Sequence, residues 1–313
     1  MKRRKIYTLS ALALSFMLLL FIATQNVVPI LHGIRDARLS IAGFKKLQTE
    51  TEHAKWTYYR GGKGEKKVLF IHGFGPGGGF TWMDAMQHLG PEFDILVPDL
   101  MWFGDTEGFC EPTLSNQAKE LYALCEKLDF MPSSIAGISY GGFVALELLN
   151  QQPHLNADLL IVNSPGTDFD LCDVEAMCQR AGVETIDELF IPKELSGVKN
   201  QIDFVTSGDA PALPDFVFQQ IFDLETRKFA TEKTILMEDL VYNADYYRNN
   251  MRPVYDRAGV IWSVRDSVFP MRYGLKLAER LDAELYTLEH SGHIPMPADK
   301  ETYVESMRQF LSK

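Results

Sequence analysis

Apolar and polar positions along this chain fall into blocks of two kinds. Short apolar runs at 68–71, 95–97, 134–136, 159–162, 260–264 and 285–288 have strand length. Stretches at 81–89, 114–128, 141–150, 272–281 and 300–311 place apolar residues at helical spacing, between or after those runs. Strand–helix alternation of this kind predicts a mostly parallel sheet with helices on both faces. A further strand pattern starts at Lys55, with Trp56 and Tyr58 alternating, and Gly61-Gly62-Lys63-Gly64 predicts a hairpin turn after it. The rhythm breaks once. From 166 to 252 the patterning is helical without a clear strand, which predicts a helical lid inserted into the sheet domain.

The N-terminus follows a different rule. Lys2, Arg3, Arg4 and Lys5 precede an uncharged apolar run over 6–23. At ~1.5 Å rise per residue such a helix is about 27 Å long, close to the hydrocarbon thickness of a bilayer. The length favours an uncleaved anchor over a signal peptide, whose apolar region is shorter, although cleavage after a weak small-residue site stays open. The basic flank orients the N-terminus to the cytoplasm and the remaining chain to the other side. Residues 27–50 predict a juxtamembrane helix, with Ile30, Leu31, Ile34, Leu39, Ile41, Phe44 and Leu47 at mostly helical spacing. Its Arg35, Arg38, Lys45 and Lys46 face either anionic headgroups or solvent. The expected divisions are a basic flank and anchor over 1–25, a linker helix over 26–50, a core of 51–165 with 253–313, and a lid over 166–252.

Charge narrows the class of partner. The net charge is -11, and removing the basic tetrad leaves 27 cations against 42 anions. A body that acidic does not suit nucleic-acid binding, which needs Lys and Arg to neutralise phosphates. Cys110, Cys125, Cys172 and Cys178 form no C-x-x-C pair and lie near no histidine at metal-ligand spacing, so no metal is implied. Cys172 and Cys178 read equally as buried thiols or, in an exported domain, as a disulfide across a short loop.

The chemistry concentrates at three places. Gly137-Ile138-Ser139-Tyr140-Gly141 follows the run 134–136 and opens an apolar helix, the strand–turn–helix setting that G-x-S-x-G requires. Such a turn lifts the Ser139 hydroxyl above the sheet, with a helix N-terminus behind it for a developing oxyanion. His290-Ser291-Gly292-His293 follows the last strand run, and of its two histidines His293 is favoured as general base, with Gly292 allowing a tight loop. Asp266, just after the run 260–264, is the acid that would orient the imidazole; Asp168 and Asp170 are the fallback acids. His72-Gly73-Phe74-Gly75 follows the run 68–71, and nominates the amides of Phe74 and Tyr140 as oxyanion donors. His72 precedes the serine in sequence and reads as a brace for that loop rather than as a base.

These segments, in this order, resemble the α/β-hydrolase superfamily over about 55–313. HGFG, VPDLMWFGDT, GISYGGFVALEL, the VRDSVFP loop and SGH with its following helix carry the resemblance. The pattern is most similar to the lid-bearing esterase and monoacylglycerol-lipase-like branch, including its membrane-anchored members. Met101 and Trp102 depart from the common P-D-x-P-G-x-G form, which alters a loop and not the machinery. The stretch 72–79 also resembles the meta-cleavage-product hydrolases, which break carbon–carbon bonds with the same triad. Ile294 stands where those relatives carry an aromatic residue.

The predicted lid is rich in large apolar residues, most of which its own packing explains. A surplus facing the cleft, with Phe216, Phe218 and Phe222 as candidates, favours an apolar acyl substrate. The expectation is a membrane-anchored hydrolase of carboxylic esters, such as a monoacylglycerol, without metal or organic cofactor. Carbon–carbon or amide hydrolysis with the same residues is the alternative, and a non-catalytic binding protein of this fold is a further one. An acid at position 139 would mark a dehalogenase or epoxide hydrolase, and the serine speaks against both.

Overall fold

The computed structural model describes Met17, Phe21 and residues 23–295 and 299–313. The basic flank and almost all of the expected anchor lie outside the described residues. Among those described, no helix is long and apolar enough to cross a membrane.

Nine strands form one sheet: β1 (Phe44–Glu50), β2 (Ala54–Gly62), β3 (Lys67–Ile71), β4 (Asp94–Pro98), β5 (Glu107–Gly108), β6 (Ser134–Ile138), β7 (Asp158–Val162), β8 (Ala258–Ser263) and β9 (Glu284–Leu288). Their spatial order is β1-β2-β4-β3-β6-β7-β8-β9, with β5 paired to β2. From β4 to β9 all neighbours are parallel, and β1 and β2 are antiparallel additions at one edge. The helices are α1 (Val27–Ile41), α2 (Gly78–Thr81), α3 (Met83–Leu89), α4 (Leu114–Lys127), α5 (Tyr140–Gln151), α6 (Leu171–Ala181), α7 (Ile186–Phe190), α8 (Leu195–Val205), α9 (Asp215–Ile221), α10 (Ala230–Tyr242), α11 (Ala244–Asn250), α12 (Arg272–Leu281) and α13 (Lys300–Leu311). The alternation predicts this parallel sheet with helices on both faces, and the whole is the α/β-hydrolase fold that the resemblance implies.

The period-two geometry of a strand explains why the apolar runs are continuous. In β3, Val68 and Phe70 enter the hydrophobic cluster on one face of the sheet, whereas Leu69 and Ile71 enter the cluster on the other. All four are fully buried, and each contributes roughly 1.5–3 kcal/mol relative to exposure. Between β7 and β8 the chain forms α6 to α11 and a π-helical turn, Phe222–Thr226, with no strand among these described residues.

Two expectations at the N-terminal edge are corrected. The single helix expected over 27–50 is instead α1 followed by the strand β1, separated at Gly43, whose φ is 92°. Phe44 and Leu47 fit helical spacing, but every residue of β1 is paired in register with β2, from Phe44 opposite Gly61 to Glu50 opposite Lys55. Nor is α1 a free linker. Leu39 is fully buried, and buried Arg35 pairs with Asp36 at 2.7 Å and stacks over Phe80 at 4.5 Å. The glycine-rich stretch after β2 makes no hairpin with β3, because β4 lies between those two strands and pairs with both.

Candidate active site

The strand β6 runs into α5 through a single residue, Ser139, at φ 53° and ψ -123°. A non-glycine residue with positive φ stores strain of order 1–3 kcal/mol, held here by the surrounding structure. The Ser139 N–H donates to the Val162 carbonyl at 2.9 Å, and the Ser139 carbonyl accepts from Gly142 N–H at 2.9 Å. The flanking glycines are required by clearance. A Cβ on Gly137 would collide with the Gly141 carbonyl, and one on Gly141 with the Ile71 carbonyl.

Residues 154 positions apart then meet. His293, on the loop between β9 and α13, accepts the Ser139 hydroxyl at its Nε2, 2.9 Å away. Its Nδ1–H donates to Asp266 Oδ2 at 2.9 Å. The Asp266 side chain is fully buried, and its other oxygen accepts the amides of Val268 and Phe269, both at 2.8 Å. Main-chain donors thus fix which carboxylate oxygen faces the imidazole. The alternatives weighed from sequence are engaged elsewhere. His290 is exposed and its carbonyl accepts from Arg265. Asp168 pairs with Arg280 and Lys276, while Asp170 caps α6. Cys172 and Cys178 are free thiols, Cys172 exposed and Cys178 buried.

Two supports for the His293 loop, Asn163 and Asp299, carry no sequence signal. Asn163, buried at the end of β7, donates through Nδ2 to the His293 carbonyl at 2.7 Å and to Ser263 Oγ at 2.9 Å. Its Oδ1 accepts from Ser263 N–H at 2.7 Å. Asp299 accepts the amides of His290 and Ser291 and the Ser291 hydroxyl. Burial alone would raise that carboxyl, but the Ser291 hydroxyl and these amides outweigh it and hold it below the usual carboxylate range. Gly292 serves clearance more than tightness: a Cβ there would come within 2.5 Å of Ser207 Oγ and 2.8 Å of the Thr206 main chain. The helical segment between β7 and β8 therefore rests directly on this loop, and Ile294 N–H donates to the Val205 carbonyl at 3.3 Å.

The loop after β3 lies against the same point, since a Cβ on Gly73 would stand 2.9 Å from Ser139 Cβ. Neither the Phe74 nor the Tyr140 N–H has a hydrogen-bond partner among the described residues. His72 is fully buried, with Nε2 accepting Leu100 N–H at 2.8 Å and Nδ1–H donating to the Gly73 carbonyl at 2.7 Å. Burial pushes its pKa down to about 4, so it stays neutral and ties two loops together. Phe74 packs edge-on against Phe103, Tyr140 and Phe190, with ring centroids 4.9, 5.9 and 6.2 Å away. Phe190, the last residue of α7, reaches this loop from the helical segment, and sequence patterning does not single it out. Phe216 is exposed, Phe218 is buried beneath Lys199 and Phe222 lies under Arg227. Their helix and the turn after it pack on α1 and α8. Among the described residues no cluster of His, Cys, Asp and Glu is arranged to hold a metal.

An elbow serine, a histidine–aspartate pair from the strand ends beyond it and two open amides form the arrangement expected of an α/β-hydrolase site. The profile of the alpha/beta hydrolase family matches residues 68–305, and the chain belongs to that family. It is 26% identical over 281 residues to an uncharacterized protein of Mycobacterium tuberculosis, covering 85% of this chain and 81% of that one. It is also 26% identical over 263 residues to the 2-hydroxy-6-oxo-2,4-heptadienoate hydrolase of Pseudomonas putida, covering 78% of this chain and 88% of the other. The crystal structure of a bacterial membrane phospholipase A shares the fold at a TM-score of 0.73 and 18% identity, over 100% of this chain and 98% of that one.

Proposed function

We propose that this chain is a serine hydrolase of carboxylic esters with an apolar acyl part, such as monoacylglycerols, held at a membrane by its N-terminal run. The observation that carries this reading is the continuous hydrogen-bonded path from Ser139 through His293 to Asp266 beside two unpartnered amides. Ser139 Oγ attacks the ester carbonyl as its proton passes to His293 Nε2, and the carbonyl oxygen gains negative charge between the Phe74 and Tyr140 N–H groups. Asp266 stabilises the imidazolium, which returns the proton to the departing alcohol. Water, deprotonated by His293, then releases the acid from the acyl-enzyme. The aromatic wall of Phe74, Phe103, Tyr140 and Phe190 supports an apolar acyl group. The helical segment resting on the His293 loop is the lid of this reading. The uncharged run after a basic tetrad supports a cytoplasmic N-terminus, with the enzyme domain across the membrane.

Carbon–carbon hydrolysis is the second reading, favoured by the 72–79 stretch and by the likeness to the Pseudomonas putida hydrolase. One experiment separates the two. The full chain in detergent is offered esters from acetyl to long-chain monoacylglycerol, beside a vinylogous 1,5-diketone acid. Ester cleavage that disappears in Ser139→Ala, by at least ~10⁴-fold, supports the proposal. Cleavage of the diketone alone overturns it in favour of the second reading. If fluorophosphonate fails to label Ser139 and neither substrate is cut, the protein is a binding member of its fold.

A further inference from the structure

The first helix presents its polar and apolar sides in an unusual order. Arg35 is buried against the body, while Ile30, Leu31, Ile34 and Ile41 are 44%, 46%, 46% and 87% exposed. At roughly 100° per residue, Ile30, Ile34, Ala37 and Ile41 fall within an arc of about 60° directed away from the sheet. Arg38 is the one exposed charge on α1. An arginine stem is long enough to carry its guanidinium from an apolar surface to water. A surface helix on a domain that meets only water carries the reverse arrangement.

Leu224, in the π-helical turn, is 45% exposed and lines a groove with Pro29, His32 and Gly33 of α1. The turn is fastened there by Glu225, 3.0 Å from His32, and by Gln220, which accepts Val28 N–H at 3.1 Å and donates to the Thr24 carbonyl at 2.7 Å. Upstream the sequence enters the uncharged run that ends at Ala23, and Met17 and Phe21 within it are exposed. An apolar face that begins where an uncharged run of bilayer length ends is suited to lipid.

We propose that the outward face of α1 lies in the interfacial layer of a lipid bilayer, with α1 parallel to the surface. This placement rests on the membrane location proposed above and is independent of the ester chemistry. It sets the helical segment, which rests on the His293 loop, beside the headgroups.

Nitroxide labels at Ile30→Cys, Ile34→Cys and Ile41→Cys test it in the full chain, reconstituted in phosphatidylglycerol–phosphatidylcholine vesicles. Cys110 and Cys172 are replaced by Ser, and Gln309→Cys on α13 serves as the aqueous control. The expected result is faster relaxation by oxygen than by a water-soluble nickel chelate at 30, 34 and 41, and the reverse at 309. Nickel access at the three sites equal to that at 309 overturns the proposal. Protection from both relaxants, with spin coupling between copies, overturns it as well and assigns the face to a second copy of the chain. A paired variant, Ile30→Glu with Ile34→Glu, should lower hydrolysis of vesicle-borne monoacylglycerol about tenfold and leave a water-soluble short-chain ester unaffected. If the parent chain cleaves neither ester, the ester reading fails while the label depths still decide the placement.

Discussion

The Asn163 side chain and the His293 main chain are joined across the top of the sheet, Nδ2 donating to the carbonyl at 2.7 Å. The same side chain clasps Ser263 at both its N–H and its hydroxyl, so the ends of β7 and β8 and the loop after β9 share one hydrogen-bonding centre. Asn163→Asp keeps the shape and the acceptor toward Ser263 but turns a carboxylate oxygen toward the His293 carbonyl. The expected outcome is a fall in kcat of about 10²-fold with little change in KM, the scale of a misplaced catalytic group. Steady-state kinetics on a soluble ester checks it; an unchanged kcat would show that the loop holds its position without this bond.

Asp266→Asn should be nearly as damaging as loss of the serine. The amides of Val268 and Phe269 require an acceptor at Oδ1, so the new NH₂ must face His293 Nδ1. That forces the proton of the imidazole onto Nε2, where it can no longer accept from Ser139. A loss of about 10⁴-fold in kcat with unchanged thermal stability is expected. Nitrogen chemical shifts of His293 would show the exchanged tautomer directly.

Gly141→Ala places a methyl group against the Ile71 carbonyl, main chain that has no room to yield. Destabilisation of about 1–3 kcal/mol or more is expected, together with loss of hydrolysis. Urea unfolding and ester turnover measured on the same preparation would decide it.

His72 makes stability depend on pH with a definite sign. Its folded pKa, about 4, lies below the ordinary 6.5, so between these values the unfolded chain binds a proton that the folded chain refuses. Stability from this group is complete above pH 6.5 and is lost as the pH falls toward 4. Asp99 acts in the opposite direction: burial raises its carboxyl to about 6, so its contribution is lost as the pH rises from about 4 to 6. The two partly cancel in the parent chain. In His72→Gln the deficit relative to the parent should therefore shrink by about 1.4 kcal/mol per pH unit below 6.5. Denaturant melts at pH 7, 6 and 5 measure this, and parallel curves would show that His72 accepts a proton in the fold.

The sheet and its central residues were legible because each leaves a local mark. Buried parallel strands are short and wholly apolar, and Ser139 sits between glycines at a strand–helix junction. Asn163 was invisible for the opposite reason. An asparagine after a strand reads as a turn former, and its partners lie 100 and 130 positions away. Ile41, Phe44 and Leu47 recur every third residue and so read as helix, but pairing of β1 with β2 overrides that spacing. Phe190 escaped notice since contact with Phe74 depends on how α7 is set over the sheet, which no periodicity encodes. Anchoring and substrate stand on composition and on the aromatic wall, and the labelled chains and ester series above address them.

The buried Arg35 fixes more than a helix. With Asp36 bonded to the Tyr59 hydroxyl on β2 and Arg35 stacked on Phe80, α1 is bolted to β2 and to α2, the short helix that follows the Phe74 loop. The helix therefore meets the body as a bracket meets a wall and not as a pendulum hangs from a thread. A pull on α1 is thus passed to the short helix that follows the Phe74 loop, with every reacting group still in place.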